Sequence, residues 1–180
     1  MTNVHTAVAP SASIDQILLE EIVGAIAQTV GIFAGAEPKP VAINQATRIC
    51  DAICGTISFV GDQSYSMMMC CPRESAIELA RALAGFEIDY DSPDMGDAIG
   101  EIVNIIAGDI VARMESHGIS IAMSLPTVFR GHDVERVLPH NMVSRCTLFE
   151  MVTSSFWVDV ISGQTGQARP VQGVCHLCGR

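Results

Sequence analysis

Residues 54–85 read CGTISFVGDQSYSMMMCCPRESAIELARALAG. Two apolar, β-prone runs flank GDQS, and Pro72 closes the second, so the stretch predicts an antiparallel hairpin. The period then changes. RESAIELARALAG reads as a helix that Gly85 ends. A hairpin that passes directly into a helix points to helices and antiparallel strands mixed in one unit.

The flanking sequence supports that reading. Residues 1–13 are small and polar and read as a flexible arm. Ser13 can cap a helix that starts at Ile14, with Gln16 as its capping-box partner. Ile17, Leu18, Ile22, Ala25, Ile26 and Val30 carry its apolar period to about Phe33, where GAEPKP stops it. A loop or short strand leads on to the hairpin. Downstream, FEIDYDSP forms an acidic connector. A second long helix runs from about Asp94 to His117, with Gly118 as its stop. Three β-like pieces follow: ISIAMSLPTVFRG, RCTLFEMV and SFWVDVI. The expected fold is α+β, a single domain over residues 14–161 with a central, mainly antiparallel sheet packed with long helices. Residues 162–180 form a turn-rich C-terminal tail.

Two further matches have two readings, a degenerate internal duplication or the chance similarity of short apolar segments. EEIVGAIAQTVG from Glu20 resembles GEIVNIIAGDIV from Gly100, and TISFVGDQSY from Thr56 lies without gaps on TLFEMVTSSF from Thr147. In this overlay Glu21 matches Glu101, but Gly24 stands where Asn104 stands.

Composition narrows the function. The 180 residues are 49 % apolar, with mean hydropathy +0.36, net charge −10 and pI about 4.7. That is enough chain for one sizeable core. An acidic surface is repelled by phosphate backbones, so nucleic acid is not an expected partner. A protein partner with a basic patch is easier to accommodate. Residues 1–13 lack a basic start and an apolar core, which argues against a signal peptide. The weakly polar run Ile22 to Ala36 is expected to be too short for a bilayer. The protein is therefore expected in the cytoplasm, without membrane insertion. Cys50, Cys54, Cys70, Cys71 and Cys146 read as small buried hydrophobes, and SMMMCC as a core strand or a dimer edge.

Within the second long helix, DAIGEIVNIIAG (residues 97–108) places Asp97, Glu101, Asn104 and Gly108 within about 60° of one another. Ile99, Ile102, Val103, Ile106 and Ile110 lie on the other sides. The stripe has three readings. It is a solvated helix face, or Asn104 is a buried amide satisfied by backbone, or it is a docking face. In the last case a carboxylate meets a cation while an amide holds a water or a phosphoryl oxygen. Asn offers a donor and an acceptor without titrating, which suits water positioning in phosphoryl transfer. A helix-interior glycine costs about 1 kcal/mol relative to alanine, and close approach of another backbone at Gly108 is one reason to keep it.

Asp97-x-x-x-Glu101-x-x-Asn104, followed after 21 residues by Pro126 in SLPTVFRG, resembles the motif of the CheC/CheX family of chemotaxis phosphatases, and the CheX-like subgroup in particular. The resemblance covers about Ile14 to Ile161. It implies a phosphatase that hydrolyses the aspartyl phosphate of a CheY-type response regulator. Glu101 would pair with the regulator's active-site lysine. Asn104 would orient the hydrolytic water. Asp97 would shape or steer the face, and Pro126 would mark a structural turn. No cofactor is expected on this chain, because the divalent ion, usually magnesium, belongs to the regulator. One motif per chain and a homodimer follow from the CheX-like comparison. The rival reading is a non-catalytic adaptor that binds a receiver domain or a flagellar switch component through the same face.

Other constellations are weaker. Cys175-x-x-Cys178 is half of a zinc site without a second pair, and reads more readily as free or redox-labile thiols. His117, His132 and His140 lack ligand spacing and read as surface or loop residues. GFEIDYDSPDMGD lacks the spacing of a calcium loop and reads as a solvated connector.

Overall fold

The computed structural model describes residues 14–43, 49–61, 64–134, 137, 140 and 142–163. The arm 1–13, the hairpin tip Asp62–Gln63 and residues 164–180, with Cys175 and Cys178, lie outside the described residues. In chain order the elements are α1 (Ile14–Ala34), β1 (Lys39–Ile43), β2 (Ile49–Gly61), β3 (Tyr65–Pro72), α2 (Arg73–Ala84), α3 (Pro93–Ser116), β4 (Ile121–Met123), β5 (Thr127–Val134), β6 (Met142–Glu150) and β7 (Ser155–Gly163).

The hairpin of the opening stretch forms as its sequence dictates. β2 pairs β3 antiparallel from Ala52↔Pro72 to Phe59↔Tyr65. Alternation sends Tyr65, Met67, Met69 and Cys71 to one face, where they are buried. α2 starts immediately after Pro72 and ends on Gly85, which takes a left-handed φ of 80° and donates its N–H to the Arg81 carbonyl at 2.8 Å. The sheet is seven-stranded and wholly antiparallel, in the order β1-β6-β7-β3-β2, with β4 and β5 both pairing β2 on its outer side. β3 lies between β2 and β7, so SMMMCC is a core strand and not an edge.

The order β1-β6-β7-β3-β2-β5 reads the same from either end if α1-β1-β2-β3 is exchanged with α3-β5-β6-β7. Each half contributes one hairpin with an aromatic pair beside its turn: Phe59↔Tyr65 in one and Phe149↔Phe156 in the other. The second pair stacks at 5.2 Å between centroids. The halves therefore repeat in topology, but the gapless overlay of Thr56 on Thr147 is one residue out at the first aromatic, setting Phe59 on Glu150 beside Phe149.

α1, α2 and α3 pack on the same sheet face. Leu18, Ile22 and Ile26 of α1 join Leu79 of α2, Ile99, Ile102 and Ile106 of α3, and Ile53, Ile57 and Phe59 of β2 in one core. A Cβ on Gly55 would stand 2.7 Å from Val103 Cγ2, so glycine is what lets α3 lie this close to β2. The expectation about bilayer length needs correction. Gln16–Ala34 is 19 residues with mean hydropathy 1.7, long and apolar enough for one crossing. The apolar side of this helix nevertheless lies against the sheet, with Leu18, Ile22, Ala25, Ile26 and Val30 buried in the core.

Cys54, Cys70, Cys71 and Cys146 are buried, as their sequence context predicts. Cys54 and Cys70 face each other across β2 and β3 with their sulfurs 2.6 Å apart, packed by Met68 and Trp157. Contact with Cys54 and burial push the Cys70 thiol up, and burial pushes up Cys71. Thiolate is the reactive form. Iodoacetamide at pH 8 is therefore expected to spare Cys70 and Cys71 in the native protein and to label both after denaturation, as read by peptide mass spectrometry. Labelling of Cys71 at the rate of a free thiol in the native state would show that the core is not packed as described.

Candidate docking and active site

α3 is placed from its N-terminus. Ser92 caps it in an extended conformation, Pro93 occupies the first helical position and Asp94 the first turn. The residues just before it are clamped. Tyr90 is buried between two guanidinium groups, Arg73 at 4.0 Å and Arg130 at 4.9 Å from its ring centroid. Arg73 ion-pairs with Asp51 at 2.9 Å and with Asp91 at 3.1 Å. Arg130, on β5, donates to the carbonyls of Asp91 (3.3 Å) and Ser92 (3.2 Å). The acidic connector expected to be solvated is thus pinned at its C-terminal end to β3–α2 on one side and to β5 on the other. No local pattern signals this clamp, because the two arginines lie far apart in the chain.

Along α3, Met95, Ile99, Ile102, Val103, Ile106, Ala107, Ile110 and Met114 are buried. The opposite stripe faces outward: Asp97 and Glu101 are exposed, and Asn104 and Gly108 half-buried. The side chains of Asp97, Glu101 and Asn104 make no hydrogen bond or ion pair with any described residue. Asn104 is therefore not a buried amide satisfied by backbone. A Cβ on Gly108 would meet nothing within 4 Å. No neighbour within the described chain explains that glycine.

Pro126 stands in the break between β4 and β5, two short strands that run in line along β2. Ser124 bridges the break: its N–H donates to the Ser58 carbonyl at 2.8 Å, and its hydroxyl accepts from the Ser58 N–H at 3.1 Å. A residue without an N–H suits an interrupted ladder. Pro126 and Val128 face Asp97, Gly100 and Glu101 across a groove of about 760 Å³, which Arg130 also lines. Structure thus brings Asp97, Glu101 and Pro126 to one groove, with Asn104 and Gly108 further along the same helix.

The matching face on α1 is closed. Glu21, the counterpart of Glu101, accepts from Arg113 Nη1 at 3.3 Å and contacts His117 Nε2 at 2.7 Å. Arg113 also bonds Asp109 at 2.9 Å and the side chain of Gln28. A Cβ on Gly24, the counterpart of Asn104, would lie 3.1 Å from Arg113 Nη1. A side chain at position 24 would crowd this guanidinium. His117, read from sequence as a surface or loop residue, belongs to this ion-pair cluster while remaining partly exposed.

The domain thus has two antiparallel halves, and one of its two matching helices carries an acid–amide face whose side chains have no partner among the described residues. Residues 53–150 match the family described as chemotaxis phosphatase CheX, and the chain belongs to that family. It is similar to the CheY-P phosphatase CheX of Thermotoga maritima, with 25% identity over 126 residues, covering 67% of this chain and 80% of the relative. Chemotaxis protein CheX from Desulfovibrio desulfuricans shares the fold at TM-score 0.67 and 21% identity, over 79% of this chain and 97% of that one. A chain of the CheX–CheY–BeF3–Mg+2 complex from Borrelia burgdorferi does so at TM-score 0.64 and 16% identity, over 81% and 96%.

The closed α1 face has a pH signature. The hydrogen bond from His117, with help from Arg113, holds the Glu21 carboxyl below its ordinary value of 4.5. A carboxyl with a depressed folded pKa stabilises the fold above its unfolded pKa, and that contribution is lost as pH falls through the folded value. Glu21→Gln is expected to lower Tm at pH 7, with the gap to wild type closing below about pH 4. Thermal melts at pH 7 and pH 3 check this. A gap of equal size at both pH values would mean that the carboxylate charge plays no part.

Proposed function

We propose that this protein is a phosphatase that hydrolyses the aspartyl phosphate of a CheY-type response regulator. The observation that carries the reading is the contrast between two matching helices: Glu21 and Gly24 are covered by Arg113 and His117, while the side chains of Glu101 and Asn104 have no partner among the described residues. Family membership and the resemblance to a CheY-P phosphatase supply the substrate class. A CheX–CheY complex among the structures with the same fold supports a receiver domain as the partner.

In this mechanism Glu101 docks to the regulator's active-site lysine, and the attraction gains strength as water leaves the interface. Asn104 then enters the regulator's site. Its carboxamide accepts a hydrogen bond from the attacking water and holds it in line with the acyl phosphate. Water adds to phosphorus, the aspartyl C–O–P linkage breaks on the phosphorus side, and aspartate and inorganic phosphate leave. Magnesium held in the regulator's site would neutralise the phosphoryl oxygens, and Glu101 and Asn104 act beside it as docking and water-orienting groups. Asp97 steers the basic partner, and Gly108 leaves room for its backbone. Pro126 holds the turn opposite the docking helix. The protein acts in the cytoplasm as a homodimer with one working face per chain.

Decay of a phosphorylated CheY-type receiver, followed with and without the protein, tests the reading. Asn104→Ala is expected to lower kcat about 100-fold with little change in KM. Glu101→Ala is expected to raise KM about tenfold or more, the loss of one partner of a desolvated charge pair. Binding of the receiver without faster decay would instead identify an adaptor.

A further inference from the structure

The groove beside the stripe holds more recognition chemistry than the proposed reaction uses. Glu101 belongs both to the groove and to the docking stripe, so the two surfaces are continuous. Asp97 and Glu101 set two unpaired carboxylates in its lining against one guanidinium, Arg130, which donates to the Asp91 and Ser92 carbonyls, while the Asp91 carboxylate is already neutralised by Arg73 at 3.1 Å. The field inside the groove therefore favours a cation. Its apolar lining includes buried Ile53 and half-buried Val128, a surface suited to an aliphatic stem. Between these walls α3 contributes Gly96 and Gly100, which have no side chains. A Cβ on Gly96 would meet nothing within 4 Å, and one on Gly100 only Val128 Cγ2, at 3.4 Å. Glycine is disfavoured inside a helix relative to alanine, and packing within the described chain does not call for it at these positions. An occupant that fills the groove does.

We propose that the groove is a second docking point for the receiver domain and takes a lysine- or arginine-bearing segment of it, separate from the lysine that meets Glu101. The stem of that side chain lies over Gly96 and Gly100, and its cation faces Asp97. The inference rests on the receiver-docking reading above and adds to it. Asn104 sets the chemical step, while the groove sets which receiver is held and how tightly.

The test uses the full chain with a phosphorylated CheY-type receiver and reads kcat and KM separately. Gly96→Leu sends a side chain into the groove from a position where a Cβ meets nothing within 4 Å and improves helix propensity, so Tm is expected to hold or rise. Its KM is expected to rise about tenfold or more while kcat stays within about twofold. Gly96→Lys is expected to raise KM more than Gly96→Glu, and the difference to shrink with added salt. Gly96 variants with wild-type KM, alongside an Asn104→Ala variant that has lost kcat, overturn the groove and leave the phosphatase reading standing. A wild-type protein that neither accelerates decay nor binds the receiver overturns both.

Discussion

The packing of α3 onto β2 is the constraint on which the rest of the molecule depends. Val103 comes so close to the backbone of Gly55 that a single methyl group there would collide with it. With that contact made, Ile99, Ile102 and Ile106 enter the shared core, and the rotation of α3 about its axis is settled. At 3.6 residues per turn, a helix so fixed turns Asp97, Glu101 and Asn104 away from the sheet. The polar face is thus a consequence of core packing. The Tyr90 clamp fixes the start of the same helix, so both its rotation and its entry are set by groups that take no part in chemistry.

Much of this was legible in the sequence because its signals are local. Period-2 alternation in YSMMMCC, the switch to helical spacing at Pro72, and the glycine at Gly85 each act within a few residues. The stripe on α3 is likewise a matter of spacing. Other features depend on partners distant in the chain. Arg73, Tyr90 and Arg130 converge only once β5 lies beside β2. Arg113 and His117 reach Glu21 only because α1 and α3 pack together. The sequence overlay had already shown that Gly24 replaces an amide. What it lacked was the guanidinium that occupies the vacated space. The bilayer expectation understated the apolar length because it began at Ile22, after Glu20 and Glu21, whereas the apolar helix runs from Gln16 to Ala34.

The duplication adds an asymmetry that topology alone hides. Exchange of the two halves leaves the sheet order unchanged, yet the helices have diverged at the matched positions. One keeps acid and amide without partners. The other keeps the acid, replaces the amide with glycine, and engages its sister helix with both.

Arg113 can then be seen as a ligand tethered to its own receptor. A group fixed in the fold acts at an effective concentration in the millimolar range or above, and it has no translational entropy left to lose on binding. A free partner present at micromolar levels competes poorly for Glu21 against such a neighbour. The domain thus contains a built-in comparison between a permanently saturated acidic helix and one whose occupancy follows the concentration of its partner in solution.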